Sequence, residues 1–326
     1  LQSKQRSFVV LDLKDIDFRL MEIDKQLERA DRRGQDLPGD VSGALPYCAA
    51  DFPRNPAGRA DPALVPVDEA LPIEAHFFVA KRAPARRALI IGGFHGDENP
   101  GFQLADAFVE ERRDRNRNQA SEPLEFHTLV IPRLNRGAVE DNLAGRAWKL
   151  ACHRCNRQGV DLNRNFPVVG QEPGDTSWCP NTVGAPTQPE VTAVMHAVAF
   201  FKPDRILSLH SISTPANAGV FADPNQEPEA VLLARRLAAL IPHESDRPYN
   251  RLGPDEATFN AVYPGDKPGV VGGGTSLGAW GPFAQRGKRV PVITLEVPGH
   301  HPLDQGVGPR TFDSFLRVLR GFVTLL

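Results

Sequence analysis

From residue 71 onward the chain alternates short apolar runs with segments of helical periodicity, and this alternation restricts the fold more than any other feature. "IEAHFFVA", "RALIIGGF", "FHTLVIPRLN", "DRILSLHS" and "VPVITLEVPG" read as strands, being short apolar runs bounded by turn formers. "GFQLADAFVEERRD", "PEVTAVMHAVAFF" and "PEAVLLARRLAALI" read as helices, and "SLGAWGPFAQRG" is helix-like. A last helix places Phe312, Phe315, Leu316, Leu319, Phe322 and Val323 on one face. Residues 134 to 187 read as a long irregular region, and no internal repeat is present. Strands that are almost continuously apolar must be covered on both faces, so the expected fold is an α/β sheet between two helical layers.

Residues 1–70 differ in character. After a short β-like run, Ile16, Leu20, Ile23, Leu27 and Ala30 recur at helical spacing, which predicts an amphipathic helix ending near Gly34. Residues 35 to 70 are rich in Pro, Gly, Ala and Asp and read as an irregular wrap. The expected division is therefore an N-terminal extension over 1–70 and a catalytic domain over 71–326.

Lys and Arg number 38 against 40 Asp and Glu, a net charge of -2 that points to neither nucleic acid nor an acidic membrane surface. No apolar run approaches the roughly 18 to 20 residues of a membrane span. A cytoplasmic location is the expectation, with export or a periplasmic location left open because the sequence starts at Leu1 rather than Met. Cys48, Cys152, Cys155 and Cys179 are too few for a disulfide framework. The C-x-x-C of Cys152 and Cys155 reads as a redox pair, half a zinc site or two unrelated thiols; without a second C-x-x-C, a loop disulfide or free thiols is favoured over structural zinc.

Polar residues stand at the carboxyl ends of three apolar strands: His95 after "ALIIGGF", His210 after "RILSL" and Glu296 after "PVITL". In open α/β sheets ligands bind at such strand ends. His95 and Glu98 are separated by two residues on a turn leaving a strand, a spacing that lets an imidazole and a carboxylate share one metal ion. His210 is the natural third ligand for Zn²⁺, one ion per chain, and His300 and His301 are substitutes close behind Glu296. Between the second and third ligands lies "GVDLNRNFP", in which Arg164 offers a planar fork for a carboxylate and Asn163 an amide donor beside it.

In order, "FHGDENPG", "GVDLNRNFP", "SLHS" and "ITLEVPG" resemble the signature segments of the zinc carboxypeptidase family of carboxypeptidase A type, over about residues 75 to 326. The wording is most similar to the bacterial branch containing the murein-peptide amidases, which cut between γ-D-glutamate and diaminopimelate. "GGGTSLGAWGPFAQRGKRVPVITLEVPG" also resembles that branch. The resemblance implies a three-layer α/β/α fold with a mixed, mostly parallel twisted sheet. It implies that His95, Glu98 and His210 hold zinc, that Asn163 and Arg164 clamp a terminal carboxylate, and that Glu296 is general base and acid. Asp161 would then orient His95. Arg154 is favoured over Arg146 as the arginine that polarises the scissile carbonyl, and Tyr263 is the candidate for the family's mobile tyrosine.

The implied substrate is a peptide or murein peptide with a free carboxylate. Two other functions fit parts of the pattern: an N-acyl amino acid deacylase resembling succinylglutamate desuccinylase and aspartoacylase, and a non-catalytic binding protein on the same fold. Asp266 and Asp255 are available to hold the distal amine of diaminopimelate, and spacing selects neither.

Overall fold

The apolar runs assemble into one seven-stranded sheet in the computed structural model, which describes residues 25, 40–45, 73–80, 85–118, 124–146, 153–168, 170–173, 176–213, 218–222, 228–241, 275–281, 290–300 and 309–325. The strands are β1 (Asp40–Leu45), β2 (Ile73–Phe78), β3 (Arg86–Ile91), β4 (Phe126–Ile131), β5 (Arg205–Ile212), β6 (Gly219–Ala222) and β7 (Val292–Pro298), in the order β1-β2-β4-β3-β5-β7-β6. The central strands β4, β3, β5 and β7 run parallel, while β1, β2 and β6 pair antiparallel at the flanks. The helices are α1 (Asn99–Asn118), α2 (Arg136–Leu143), α3 (Pro189–Phe201), α4 (Pro228–Ala238), α5 (Leu277–Trp280) and α6 (Pro309–Thr324), with a 3-10 turn at Leu162–Arg164.

Alternation along the strands divides the core into two layers. Leu89, Ile91, Leu129, Ile131, Ile206 and Val292 face α3 through Val191, Val194, Ala197 and Phe201. Ala88, Ile90, Val130, Leu207, Ile293 and Leu295 face the other way, onto Phe108 of α1, Ala234 of α4 and Phe315, Leu319 and Phe322 of α6. This is the three-layer arrangement expected of strands apolar on both faces.

Two expectations are corrected. Residues 40–45, read as part of an irregular wrap, form β1, whose register runs from Asp40 opposite Phe78 to Leu45 opposite Ile73. An edge strand owes its conformation to its partner, so its own Pro- and Gly-rich surroundings concealed it. The region 134 to 187 contains α2, a short helix with little amphipathic signal, and β6 is a four-residue edge strand. The N-terminal apolar stripe lies outside the described residues apart from Lys25.

The connectivity creates one crevice. From β3 the chain crosses through α1 to β4 on one side, whereas β5 and β7 are added on the other. The strand order therefore reverses between β3 and β5, and the gap beyond their carboxyl ends is where this topology leaves room for a ligand.

Candidate metal centre

The turn that carries the candidate ligands His95 and Glu98 grows directly out of β3. Gly93, with φ 67°, adopts the left-handed conformation that glycine tolerates. Its carbonyl accepts from Asn135 N at 2.7 Å, and Gly92 N donates to Ile131 O at 2.8 Å. Gly96 sits so close to α2 that an added Cβ would meet the backbone carbon of Ala138 at 2.5 Å. Its own N–H donates to His153 O at 2.7 Å. We expect Gly96→Ala to destabilise the protein by about 1–3 kcal/mol and to weaken zinc binding, because α2 must shift and drag the turn between His95 and Glu98. Denaturation of the metal-free variant together with a zinc titration measures both effects.

His95, Glu98 and His210 are buried, and their candidate ligand atoms all lie within 4.8 Å of one another. His95 Nδ1 is 2.7 Å from Glu98 Oε1, and His210 Nδ1 is 2.9 Å from Glu98 Oε2. The donor set suits zinc: two imidazoles and one carboxylate, with room in the pattern for a fourth ligand. The outer nitrogen of His95 is also provided for, since Nε2 is 3.0 Å from Asp161 Oδ1, which favours the tautomer whose Nδ1 lone pair faces the centre. Asp161 in turn caps the 3-10 turn by accepting from Asn163 N at 2.9 Å, and its backbone N–H donates to Thr182 Oγ1 at 2.9 Å.

Charge in this pocket is tightly balanced. Burial and Arg154 depress His95, but the carboxylates of Glu98 and Asp161 outweigh them and raise it to about 9. Glu98 is held well below the usual carboxylate range despite its burial, because His95 and His210 both stabilise its charge. Asp161 is likewise lowered against the effect of burial, by Arg154 and His95. Burial lowers His210, which keeps it neutral and available as a ligand. Asp97, between the two ligands of the turn, has a buried Oδ1 with no hydrogen-bond partner among the described residues, and burial followed by Glu98 raises its pKa.

The remaining expected residues gather around this group. Arg154 donates from Nε to Asp161 Oδ2 at 3.0 Å and from a terminal nitrogen to Glu98 Oε1 at 3.3 Å. Arg146 instead pairs with Asp141 at 2.5 Å and leaves 59% of its side chain exposed, away from the ligands. Asn163 Nδ2 is 3.3 Å from His210 Nε2, while its Oδ1 accepts from Leu277 N at 3.0 Å. Arg164 donates from a terminal nitrogen to the Asn163 carbonyl at 2.9 Å, and its own carbonyl accepts from Thr275 Oγ1. Among the described residues the Arg164 guanidinium makes no ion pair, and its buried Nε has no partner. Glu296 stands directly opposite His210 in the β5–β7 register. Its carboxyl is raised to about 8, first by burial and then by the charge of Glu98, against the pull of His95, Arg154 and Arg164.

Some expectations fall elsewhere. His300 is no ligand: its Nε2 lies 2.9 Å from Ser211 O. Tyr263, Asp255, Asp266, His301 and Cys152 lie outside the described residues. The C-x-x-C does not form a pair of its own, because Cys155 is bonded to Cys179, with Cα atoms 5.6 Å apart. That cross-link ties the loop carrying Arg154 and Asp161 to the loop carrying Thr182. Thr182 was not anticipated, and nothing in the sequence marks it, since its contact with Asp161 spans 21 residues. Asn99 was also passed over, although it follows Glu98 directly in "DENPG".

A buried His-Glu-His set at the switch point of a mixed α/β/α sheet, bordered by the buried Glu296 and by an arginine that makes no ion pair among the described residues, suits metal-dependent hydrolysis. Residues 67–266, more than half of the chain, match the zinc carboxypeptidase family. The chain belongs to that family and is a hydrolase of the metallocarboxypeptidase class. Among solved structures it is similar to carboxypeptidase A from Helicoverpa armigera, at TM-score 0.53 and 13% identity over 96% of this chain and 74% of that one. It is similar to thrombin activatable fibrinolysis inhibitor, at TM-score 0.52 and 15% identity over 93% and 73%. It is also similar to a murein-tripeptide amidase from Escherichia coli O157, at TM-score 0.40 and 18% identity over 77% and 87%. The first two likenesses are to the fold. No curated protein matches the chain in sequence. No helix among the described residues is long and apolar enough to cross a membrane.

Proposed function

We propose that the protein hydrolyses an amide bond adjacent to a free carboxylate, at the C-terminal residue of a peptide, with murein peptides carrying γ-D-glutamyl-diaminopimelate as the substrate class that its motif wording favours. The observation that carries this reading is the Arg164 fork, which lacks a carboxylate partner among the described residues and adjoins Asn163, itself 3.3 Å from His210. Arg164 would take the substrate carboxylate in a two-pronged, charge-assisted contact, with the Asn163 amide beside it.

Zinc held by His95, Glu98 and His210 would polarise the scissile carbonyl and lower the pKa of a water toward about 7. Glu296 takes a proton from the attacking water at its carboxylate and delivers it to the leaving amine. Its place opposite His210 sets it beside the ligands, and burial keeps its pKa high enough for it to hold the proton in transit. Arg154, fixed by Asp161 and Glu98, presents fixed positive charge toward developing negative charge on the carbonyl oxygen. Asp161 keeps His95 oriented. Tyr263 is carried as a substrate-binding residue by the family resemblance alone. Residues 71–326 form the catalytic unit in this reading, and 1–70 an extension that contributes β1 to the sheet edge. The Cys155–Cys179 cross-link supports an oxidising location over the cytoplasmic expectation.

The decisive assay sets a γ-D-glutamyl-diaminopimelate peptide beside ordinary C-terminal dipeptides and N-succinylglutamate. Turnover of N-succinylglutamate alone would move the protein to the deacylase group, and stoichiometric zinc without any hydrolysis would mark a binding protein. Arg164→Ala should lower kcat/KM by about 10- to 100-fold on free-carboxylate substrates, the equivalent of one charge-assisted hydrogen-bonded contact. The same substitution should have little effect on the slow hydrolysis of the C-terminally amidated analogue. Equal losses on both substrates would remove Arg164 from carboxylate recognition.

A further inference from the structure

We infer that His300 is a positioning residue that locks the segment following Glu296 onto the metal-ligand turn; this rests on the reading of Glu296 as the proton carrier. β3 pairs with β5 only as far as Ser208, so beyond it β5 has lost its neighbour on the crevice side. Ile212 remains bonded on the β7 side, its carbonyl accepting from Gly299 N at 2.7 Å. Ser211, one residue earlier, therefore turns its N–H and C=O toward the crevice, where no strand among the described residues is paired with them. Buried backbone groups of this kind need partners.

The partners come from the catalytic segments. Ser211 N donates to Glu98 Oε2 at 3.0 Å, and His300 Nε2 donates to Ser211 O at 2.9 Å. The backbone carbonyl of His300 accepts from Asn99 Nδ2 at 2.9 Å. Asn99 Oδ1 accepts from Asn142 Nδ2 at 3.0 Å, and the same Asn142 nitrogen donates to Gly96 O at 2.7 Å. These bonds close a circuit from the end of β7 through β5 to the ligand turn and back. Gly299, with φ 86°, makes the turn that brings His300 over Ser211. The proposed base on β7, a candidate ligand on β5 and another on the turn are thus fastened to one another by His300, whose own bonds run to Ser211 and Asn99 rather than to the ligand side chains. Small errors in such placement are costly to a reaction that depends on alignment.

The test compares His300→Ala, His300→Gln and His300→Asn in the zinc-loaded full chain. His300→Ala should lower kcat by about 10- to 100-fold with KM and zinc per chain unchanged. His300→Gln should restore most of the rate, because its amide nitrogen sits where imidazole Nε2 does, whereas the shorter His300→Asn should not. A residue that only adds stability would lower the folded fraction without this split between kcat and KM. Should the alanine variant fail to fold, the Gln and Asn pair carries the comparison. A kcat within about twofold of wild type in His300→Ala, or equal rescue by Asn and Gln, overturns the inference. If the wild-type chain hydrolyses no peptide, the functional reading fails separately. Amide exchange at Ser211 and Gly299 then decides: faster exchange in His300→Ala upholds the fastening, and unchanged exchange refutes it.

Discussion

Glu296→Gln should retain one zinc per chain and lose about 10²- to 10⁴-fold in kcat, the range that a positioned general base and acid supplies. Gln has nearly the same shape as Glu but cannot take up a proton, so the substitution removes the chemistry and leaves the packing of β7 against β5 intact. The pH profile adds a second signature. Glu296 must begin the reaction ionised, so activity falls on the acid side as it becomes protonated. In the metal-free chain its pKa is raised to about 8 by burial and by Glu98. A zinc ion beside those ligands adds positive charge and moves it downward, so the acid limb of kcat/KM in the loaded enzyme should fall below that value. This limb should vanish in Glu296→Gln along with most of the turnover. A variant with near-normal rate would exclude Glu296 from the reaction.

Zinc affinity should rise with pH, gaining up to tenfold per unit until about pH 9, and His210→Ala should abolish stoichiometric binding. The sign follows from His95, whose pKa in the metal-free chain is raised from 6.5 to about 9. Below that pH the imidazole carries a proton that zinc must displace, so binding releases a proton and is favoured by its removal. The same group stabilises the metal-free fold: its contribution is complete below 6.5 and is lost as pH rises through about 9. Glu98 and Asp161 act in the opposite sense, their contribution being present above the ordinary carboxylate range and lost as acid protonates them. Calorimetric titration in two buffers of different ionisation enthalpy measures the released proton. An affinity independent of pH between 6 and 8 would show that His95 is not displaced from its proton by the metal. Removal of His210 leaves only the two ligands of one turn, too few for a closed zinc site.

Most of the sheet was legible because its central strands are buried on both faces, and burial writes itself into local composition. "ALIIGGF", "RILSL" and "PVITL" needed no partner to be recognised as strands, nor did "PEVTAVMHAVAFF" as the helix covering them. β1 and β6 were not legible, since the conformation of an edge strand comes from the neighbour that pairs with it. α2 was missed because it is short and weakly amphipathic; its role is contact, with Ala138 pressed against Gly96 and Asn142 bonded to the turn.

The sequence by itself singled out the residues proposed to carry the chemistry: His95 and Glu98 on the turn after one strand, His210 and Glu296 toward the ends of two others, and Asn163 and Arg164 between them. Such residues are recognisable because their chemical types are few and their order along the chain is distinctive. Only the tertiary structure decided how they are held. It bonded Cys155 to Cys179 rather than leaving it with Cys152, set Arg154 between Asp161 and Glu98 while Arg146 went to Asp141, and put His300 on the carbonyl of Ser211 instead of among the ligands. Apart from the disulfide, each of these contacts satisfies a charge or backbone group that the fold itself buries, and the demand for such partners comes into being only when distant segments meet.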